Sequence, residues 1–275
     1  MVSSLFRVTG GGHRTRLMGS FDRILLRCAL PENLLSVIDW TLRLPRPLIL
    51  GINGAQGAGK TTLAAALVAA AEAQGLAAFH CSIDDFYLRR AEQCALAGHR
   101  LLEHRGYPGT HDIALGLQVL QSLSAGRPTR VPVYDKSAFQ GRGDRMPEAQ
   151  WRPVQGPLDI LIFEGWMLGF RPAESVEPEL ELPNRLLAAY APWWAFLDAM
   201  ILMEAPDFSQ IVQWRVDAER ARRARGGDGL SDAEALDYIS RFEPAYRAWV
   251  PGLYAHPPRR HHLRLRLPPG RLPRG

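Results

Sequence analysis

The fold of this chain is decided by the stretch Gly54-Ala55-Gln56-Gly57-Ala58-Gly59-Lys60-Thr61. An apolar run, residues 48–52, precedes it, and an Ala/Leu-rich run, residues 61–74, follows it. Runs of these lengths predict a short buried strand and a helix, and Gly75 is expected to end the helix. The stretch therefore forms a tight turn between a strand and a helix.

This turn matches the pattern GxxxxGK[ST] at every fixed position. In that pattern, backbone N–H groups and the helix N-terminus face phosphate oxygens, Lys60 reaches the β- and γ-phosphates, and the Thr61 hydroxyl group ligates Mg²⁺. A Gly-rich turn that carried Lys-Thr by chance would not need the flanking strand and helix. We predict that ATP and Mg²⁺ bind at this P-loop, to residues Gly54, Ala55, Gln56, Gly57, Ala58, Gly59, Lys60, Thr61 and Thr62.

Other apolar runs extend the alternation of strands and helices. Further strands are predicted at residues 76–83, 158–163, 199–203 and, as a terminal edge strand, 263–267. Helices are predicted at residues 31–40, 111–124, 185–197, 208–225 and 231–249. This order gives a parallel sheet covered on both faces, with strand 76–83 expected beside the strand of the P-loop. The predicted fold class is α/β, a P-loop NTPase three-layer sandwich with a mainly parallel sheet of about five strands and a helical lid.

Composition limits the function classes. The net charge of +5 comes from the ends, because residues 1–21 contain three Arg and residues 256–275 contain six, with no acids in either segment. This distribution argues against a nucleic-acid-binding face. No apolar run approaches the ~18 residues of a membrane span. The three cysteines lack CxxC spacing, which favours a reducing, cytoplasmic location over disulfides or zinc.

The chain is predicted to form one domain. Residues 1–30 are expected to be poorly ordered, and an organelle transit peptide is a weaker alternative. Residues 31–255 are expected to form the P-loop domain, with a lid around residues 215–230. Residues 256–275 are expected to be a basic, solvated tail that can hold the edge strand. The sequence does not indicate an oligomeric state.

Lysine is rare in this chain. Only Lys60 and Lys136 occur among 33 basic residues, and the others are all Arg. A chain that uses Arg nearly everywhere is expected to retain Lys where a compact ammonium group is required. Both lysines are therefore functional candidates, although chance placement of two residues is an open alternative.

Two carboxylates follow the second predicted strand, in the sequence Asp84-Asp85-Phe86-Tyr87. The carboxyl ends of parallel strands form the site in such sheets. A carboxylate at this place can take the proton of an acceptor hydroxyl group as its oxygen attacks a γ-phosphate. The competing interpretation is a solvated turn that caps the next helix.

The same four residues resemble the DxFY element of the uridine kinase, phosphoribulokinase and pantothenate kinase group. Later blocks are similar to one branch, the D-glycerate 3-kinases of plants with their fungal and bacterial relatives. These blocks are RGYPGTHD (105–112), VPVYDKSA (131–138), GRGDR (141–145), LIFEGWMLGF (161–170), LSD (230–232), FEPAY (242–246) and PGLY (251–254). The resemblance implies that Asp84 is the catalytic base, assisted by Lys60, and that Glu164 serves the magnesium ion together with Thr61.

Candidate acceptor-binding residues lie in the loops of these blocks. They are Asp85, Tyr87, Arg105, His111, Tyr134, Lys136 and Arg145. The cations among them suit an acceptor with a carboxylate, and the sequence does not choose between them. Four further arginines, Arg215, Arg220, Arg222 and Arg223, precede a glycine-rich segment and look like a lid over the phosphates. A solvated basic face is the alternative for each of these arginines.

The sequence therefore predicts an ATP-dependent kinase whose acceptor is D-glycerate and whose product is 3-phospho-D-glycerate. One alternative is the same chemistry on a nucleoside or a pantothenate-like alcohol. A second alternative is a nucleotide-dependent switch or GTPase, but the chain has no NKxD element for selecting guanine.

Overall fold

The computed structural model of the protein describes residues 33–96, 98–227, 229–259 and 261–268. The predictions for residues 1–30 lie outside this part. The strands are β1 (Leu48–Gly54), β2 (Ala78–Ser82), β3 (Thr129–Val131), β4 (Tyr134–Asp135), β5 (Asp144–Arg145), β6 (Arg152–Val154), β7 (Ile160–Gly165), β8 (Ala199–Glu204) and β9 (His261–Arg266). The helices are α1 (Asn33–Arg43), α2 (Lys60–Glu72), α3 (Arg90–Cys94), α4 (Ile113–Ser124), α5 (Glu181–Leu187), α6 (Ala191–Trp194), α7 (Phe208–Arg223), α8 (Asp232–Ser240) and α9 (Glu243–Ala255).

Five of these strands form the central sheet, in the order β2-β7-β1-β8-β9. All of its neighbouring pairs are parallel. Every residue of β1 and β7 is buried, as expected for a sheet with helices on both faces. The sheet and its helices confirm the predicted α/β fold class.

The expected position of β2 beside β1 is wrong, because β7 lies between them. The wholly buried strand β7 lies next to β1, whereas most residues of β2 are only partly buried and suit a sheet edge. β7 pairs with β1 from Leu48 opposite Ile160 to Asn53 opposite Gly165, which brings the ends of both strands to one place.

The last described residues contain the edge strand that was predicted within the basic C-terminal segment. β9 pairs with β8 from Ala199 opposite His261 to Glu204 opposite Arg266. Leu265 and Leu267 are buried in the core, because alternate residues of the strand face the helices. The predicted edge strand is therefore present and forms part of the sheet.

Two predicted helices are interrupted. The segment 231–249 forms α8 and α9, separated at residues 241–242, because the ring of Pro244 has no N–H group and cannot continue a helix from Ser240. The segment 185–197 begins earlier, at Glu181, and passes through a 3₁₀ turn at Ala188–Tyr190 before Pro192 starts α6.

Two small antiparallel pairs lie beside the edge strand β2. They are β3 with β6 and β4 with β5. The β3–β6 pair is attached to the edge of β2 by Arg152, whose Nη1 donates to the carbonyl oxygen of His80 at 3.1 Å. These pairs bring the loops of residues 131–138 and 141–145 to the carboxyl end of β2.

Within the described residues, none of the helices is long and apolar enough to cross a membrane.

Candidate active site

The P-loop has the backbone conformation that its glycines permit. Gly57 and Gly59 have φ angles of +82° and +91°, in the left-handed region, and Gly59 directly precedes α2. A Cβ atom on Gly57 would lie 3.1 Å from the Cβ of Trp214, so α7 packs against the loop. Lys60 Nζ donates to the carbonyl oxygen of Ala55 at 2.9 Å. The lysine therefore folds back over the loop, as the phosphate-binding pattern requires.

A tyrosine that sequence reasoning did not single out fixes the P-loop from outside. The hydroxyl group of Tyr246, in α9, accepts from the backbone N–H of Gln56 at 3.2 Å and donates to the Gln56 side-chain oxygen Oε1. Tyr246 also packs on Trp166, with ring centroids 5.5 Å apart. Because residues 56 and 246 are far apart in sequence, no local pattern indicated this contact.

The two predicted metal ligands are in direct contact. Thr61 Oγ1 donates to Glu164 Oε1 at 2.8 Å, and Glu164 is only 4% exposed. Burial lowers the pKa of the nearby Lys60, while the charges of Glu164 and Asp84 oppose that effect. A buried carboxylate beside the P-loop hydroxyl group supplies the oxygen ligands that Mg²⁺ prefers. The residues present therefore fit a magnesium ion bound with the nucleotide.

The two neighbouring aspartates point in different directions, because a 3₁₀ turn, Ile83–Phe86, follows β2. Asp85 turns back, accepting from the backbone N–H of Ser82 at 2.8 Å and from Arg152 Nη2 at 2.7 Å. Asp84 instead contacts Lys136, whose Nζ donates to Asp84 Oδ2 at 2.6 Å. The capping interpretation thus applies to Asp85, and Asp84 faces the cleft.

The surroundings also separate the two pKa values. Burial would raise the pKa of Asp84, but the charge of Lys136 and its hydrogen bond outweigh burial and hold that pKa well below its usual range. Burial raises the pKa of Asp85 to about 6, although Arg152 opposes the shift. Asp84 is therefore ionised at neutral pH, as a base must be.

A cluster of aromatic rings lies next to Asp84. Tyr87 lies beside Asp84, and burial, together with the charge of Asp84, raises the pKa of its hydroxyl group. The ring of Tyr87 stacks on His111 at 4.4 Å between centroids and meets Tyr134 edge-on at 5.2 Å. These contacts join three of the predicted acceptor-binding residues, of which Tyr134 lines the cleft and Tyr87 and His111 lie outside its lining.

His111 is buried within this cluster, and only 4% of it is exposed. Its Nδ1 lies 2.7 Å from the Tyr190 hydroxyl oxygen, which also accepts from the backbone N–H of Gly109. Among the described residues, its Nε2 has no hydrogen-bond partner. Burial lowers the pKa of His111 to about 3, against the charge of Asp84, so the ring is neutral at physiological pH.

These groups surround a cleft of about 230 Å³. Its lining consists of Thr61, His80, Ser82, Asp84, Asp85, Tyr134, Lys136, Arg152 and Glu164. Sequence reasoning missed His80, Ser82 and Arg152. The position of Arg152 depends on the pairing of β6 with β3 and on their docking at β2, so no signal in the sequence could have found it.

Two predicted acceptor-binding arginines lie outside this lining. Arg145 is buried. Its guanidinium group donates hydrogen bonds to the carbonyl oxygen of Tyr87 at 2.8 and 3.2 Å and to the Asp112 carboxylate at 3.1 Å. Arg105 donates to the carbonyl oxygens of Gly141 and Arg142 at 2.7 and 2.5 Å. These contacts hold both side chains outside the lining, where they fix loops around the cleft.

The predicted lid arginines are paired within the lid itself. Arg215 pairs with Glu219 at 2.7 Å and stacks over the ring of Tyr238 at 4.7 Å. Arg220 and Arg223 both pair with Asp232, at 2.5 and 2.8 Å. Arg222 is exposed to solvent. In this conformation, α7 and α8 hold three of the four arginines through acidic partners.

Comparison with known proteins places this geometry in a family. The chain is 38% identical over 222 residues to the uncharacterized kinase mug58 of Schizosaccharomyces pombe, covering 73% of this chain and 80% of the relative. It is 42% identical over 226 residues to the chloroplastic D-glycerate 3-kinase of Arabidopsis thaliana, covering 77% of this chain and 50% of the relative. The chain belongs to the D-glycerate 3-kinase family. No family model matches it.

A solved structure agrees with this membership. The D-glycerate 3-kinase of Cryptococcus neoformans var. grubii superposes with a TM-score of 0.80 at 28% identity, covering 88% of this chain and 98% of the other. This family lies within the P-loop kinases, so its members use ATP and act on small-molecule acceptors. The chain spans half the length of the plant relative, and about four-fifths of the S. pombe relative.

Proposed function

We propose that this protein transfers the γ-phosphoryl group of ATP to the C3 hydroxyl group of D-glycerate, giving 3-phospho-D-glycerate and ADP. The observation that carries the proposal is the position of Asp84. Its carboxylate faces a cleft whose other end is formed by Thr61 of the P-loop and by Glu164. An acceptor in that cleft would lie between a base and the phosphate-binding loop.

The proposed reaction is an in-line displacement. The C3 oxygen of the acceptor attacks the γ-phosphorus, its proton passes to Asp84, and the bond from the γ-phosphorus to the bridging oxygen of ADP breaks. Lys60 stabilises the negative charge that develops on the phosphoryl oxygens.

Thr61 and Glu164 would hold the magnesium ion. When bound, this ion neutralises charge on the β- and γ-phosphates. The contact between the Thr61 hydroxyl group and the buried Glu164 carboxylate supports this assignment. We also propose that the protein acts in the cytoplasm, which cell fractionation would test.

The alternative acceptors are a nucleoside and a pantothenate-like alcohol. The size of the cleft, about 230 Å³, favours D-glycerate over both, and Lys136 in its lining can pair with a carboxylate. A carboxylate on a three-carbon acceptor matches that charge and size. A nucleoside would require a larger, flatter surface for its base.

A panel of acceptors tests the proposal. Purified protein is incubated with MgATP and D-glycerate, L-glycerate, glycerol, uridine or pantothenate, and ADP release is followed. D-glycerate should give the highest kcat/KM, and phosphorus NMR should place the product phosphate on C3. Equal ADP release without any acceptor, together with a preference for GTP, would instead support a nucleotide-dependent switch.

A further inference from the structure

An anionic acceptor needs a cation in the cleft whose donors are free to reach it. Four basic side chains lie in or beside the cleft: Arg105, Arg145, Arg152 and Lys136. The first two are occupied by carbonyl oxygens and Asp112, as described above. The choice therefore lies between Arg152 and Lys136.

Arg152 is held in place by several contacts. Its Nη2 pairs with Asp85 at 2.7 Å, its Nη1 donates to the carbonyl oxygen of His80 at 3.1 Å, and its guanidinium group lies 5.0 Å from the ring centroid of Phe79. Moving this group toward a ligand would leave the Asp85 carboxylate without its partner. Release of Arg152 would break all three contacts, whereas release of Lys136 breaks one.

Lys136 has the opposite character. Its side chain is 53% exposed, and Asp84 is the only partner of its ammonium group among the residues that the structure describes. An ammonium group has three donors, so two remain for a ligand. The backbone at this position is anchored separately, because Arg105 donates to the carbonyl oxygen of Lys136 at 3.4 Å and to the two carbonyl oxygens farther along the loop. The side chain can therefore turn while the loop stays in place.

We propose that Lys136 selects anionic acceptors by exchanging its partner, leaving Asp84 and pairing with the carboxylate of the acceptor. This inference rests on the proposed kinase function. In the free protein the ammonium group neutralises the base. When the acceptor carboxylate replaces Asp84 as the partner of Lys136, Asp84 is free to accept the hydroxyl proton. Acceptor binding and release of the base are then a single event, and a neutral alcohol cannot trigger it.

The test compares D-glycerate with glycerol, which has a hydroxymethyl group in place of the carboxylate. The measured quantity is the ratio of kcat/KM for the two acceptors. Lys136→Met removes the charge and keeps the length of the side chain. It should lower the ratio by about 10- to 100-fold, the usual effect of one hydrogen-bonded charge pair. Lys136→Arg restores the charge and should recover part of the ratio.

Arg142→Met is the matched control, because Arg142 is an exposed cation of the same loop. It should keep the wild-type ratio. Arg152→Met tests the competing assignment. A wild-type ratio in Lys136→Met, or a larger loss of the ratio in Arg152→Met than in Lys136→Met, would overturn the proposal.

A binding measurement covers the case in which glycerol turnover is too slow to measure. Calorimetric titration of D-glycerate into the complex with MgADP should show a Kd about 10- to 100-fold weaker in Lys136→Met than in the wild type and in Arg142→Met. Equal affinity in all three proteins would contradict the role of Lys136. Failure of the wild type to phosphorylate D-glycerate at all would instead remove the proposed function on which the inference rests.

Discussion

Asp84 and Asp85 are neighbours in sequence and differ in their contacts. Asp84 faces Lys136 across the cleft, whereas Asp85 accepts from Ser82 and Arg152. Asp84→Asn should therefore lower kcat by about 10²–10⁴, the usual cost of losing a general base, while the KM for MgATP stays close to the wild-type value. Asp85→Asn should lower kcat by a smaller factor. Steady-state kinetics with D-glycerate checks both, and the reverse order of effects would place the base on Asp85.

His111 gives a prediction about stability and pH. Its pKa is lowered from 6.5 to about 3 by burial, so the unfolded chain binds the proton between those values and the folded protein does not. Stability from this group is present above pH 6.5 and is lost as the pH falls. Lowering the pH from 7 to 5 should therefore reduce the contribution of His111 to the free energy of unfolding by about 2 kcal/mol.

The comparison is made with His111→Asn, which keeps a polar atom near the Tyr190 hydroxyl group and does not titrate. Urea unfolding at pH 7 and pH 5 should show a smaller loss of stability in the variant than in the wild type, by about 2 kcal/mol. The difference between the two proteins is the decisive quantity, because the raised pKa of Asp85 acts in the opposite direction. Equal losses in both proteins would contradict the prediction.

At this scale the sequence predicted the residues of the site better than their contacts. Glu164 and the P-loop could be placed because each directly follows an apolar strand. The different partners of Asp84 and Asp85 could not be predicted, because a 3₁₀ turn sets the direction of each side chain. From the sequence, Arg145 and Arg105 were candidates for binding the acceptor. In the folded protein both donate hydrogen bonds to carbonyl oxygens of nearby loops, which the sequence does not indicate.

At the scale of elements, α9 supports the P-loop through Tyr246. Tyr246→Phe removes both hydrogen bonds to Gln56 and leaves the ring contacts in place. The KM for ATP should rise about 3- to 30-fold, since each bond contributes about 1 kcal/mol. The kcat should change by less than about threefold, because the hydroxyl group does not contact the acceptor side.

Tyr254→Phe, in the same helix, is the control and should keep the wild-type KM. Nucleotide titration of both variants at saturating D-glycerate checks the prediction. An unchanged KM in Tyr246→Phe would show that the loop keeps its conformation without α9.

Element boundaries were predictable where the signal is local. The helix after the P-loop begins and ends close to its predicted limits, because glycines mark both ends. The interruptions at Pro192 and Pro244 were missed, because the apolar spacing continues across each proline. Proline removes one backbone donor and obstructs the preceding turn, and that effect outweighs the spacing.

At the scale of the whole molecule, β9 completes one edge of the sheet. Leu265→Ala should lower the free energy of unfolding by about 2–5 kcal/mol, because its side chain is buried in the core. His261→Ala, at an exposed position of the same strand, should change it by less than about 0.5 kcal/mol. Chemical denaturation measures both, and equal effects would mean that β9 is not packed on the core.

The sequence predicted the layers of the fold but not the order of its strands. Apolar runs indicate that a strand is buried, and they do not say which neighbour it pairs with. The insertion of β7 between β1 and β2 depends on pairing between distant residues, such as Leu48 with Ile160, so local patterns could not predict it.

That strand order has a consequence for how the protein is made. A ribosome releases β1 and the P-loop first, yet both neighbours of β1, β7 and β8, emerge much later. The hydroxyl group that fixes Gln56 comes from Tyr246, near the end of the chain. The nascent chain therefore carries an unpaired apolar strand, which chaperones can bind, until β7 and β8 have been synthesised. The contact between Tyr246 and the P-loop can form only after residue 246 has been synthesised.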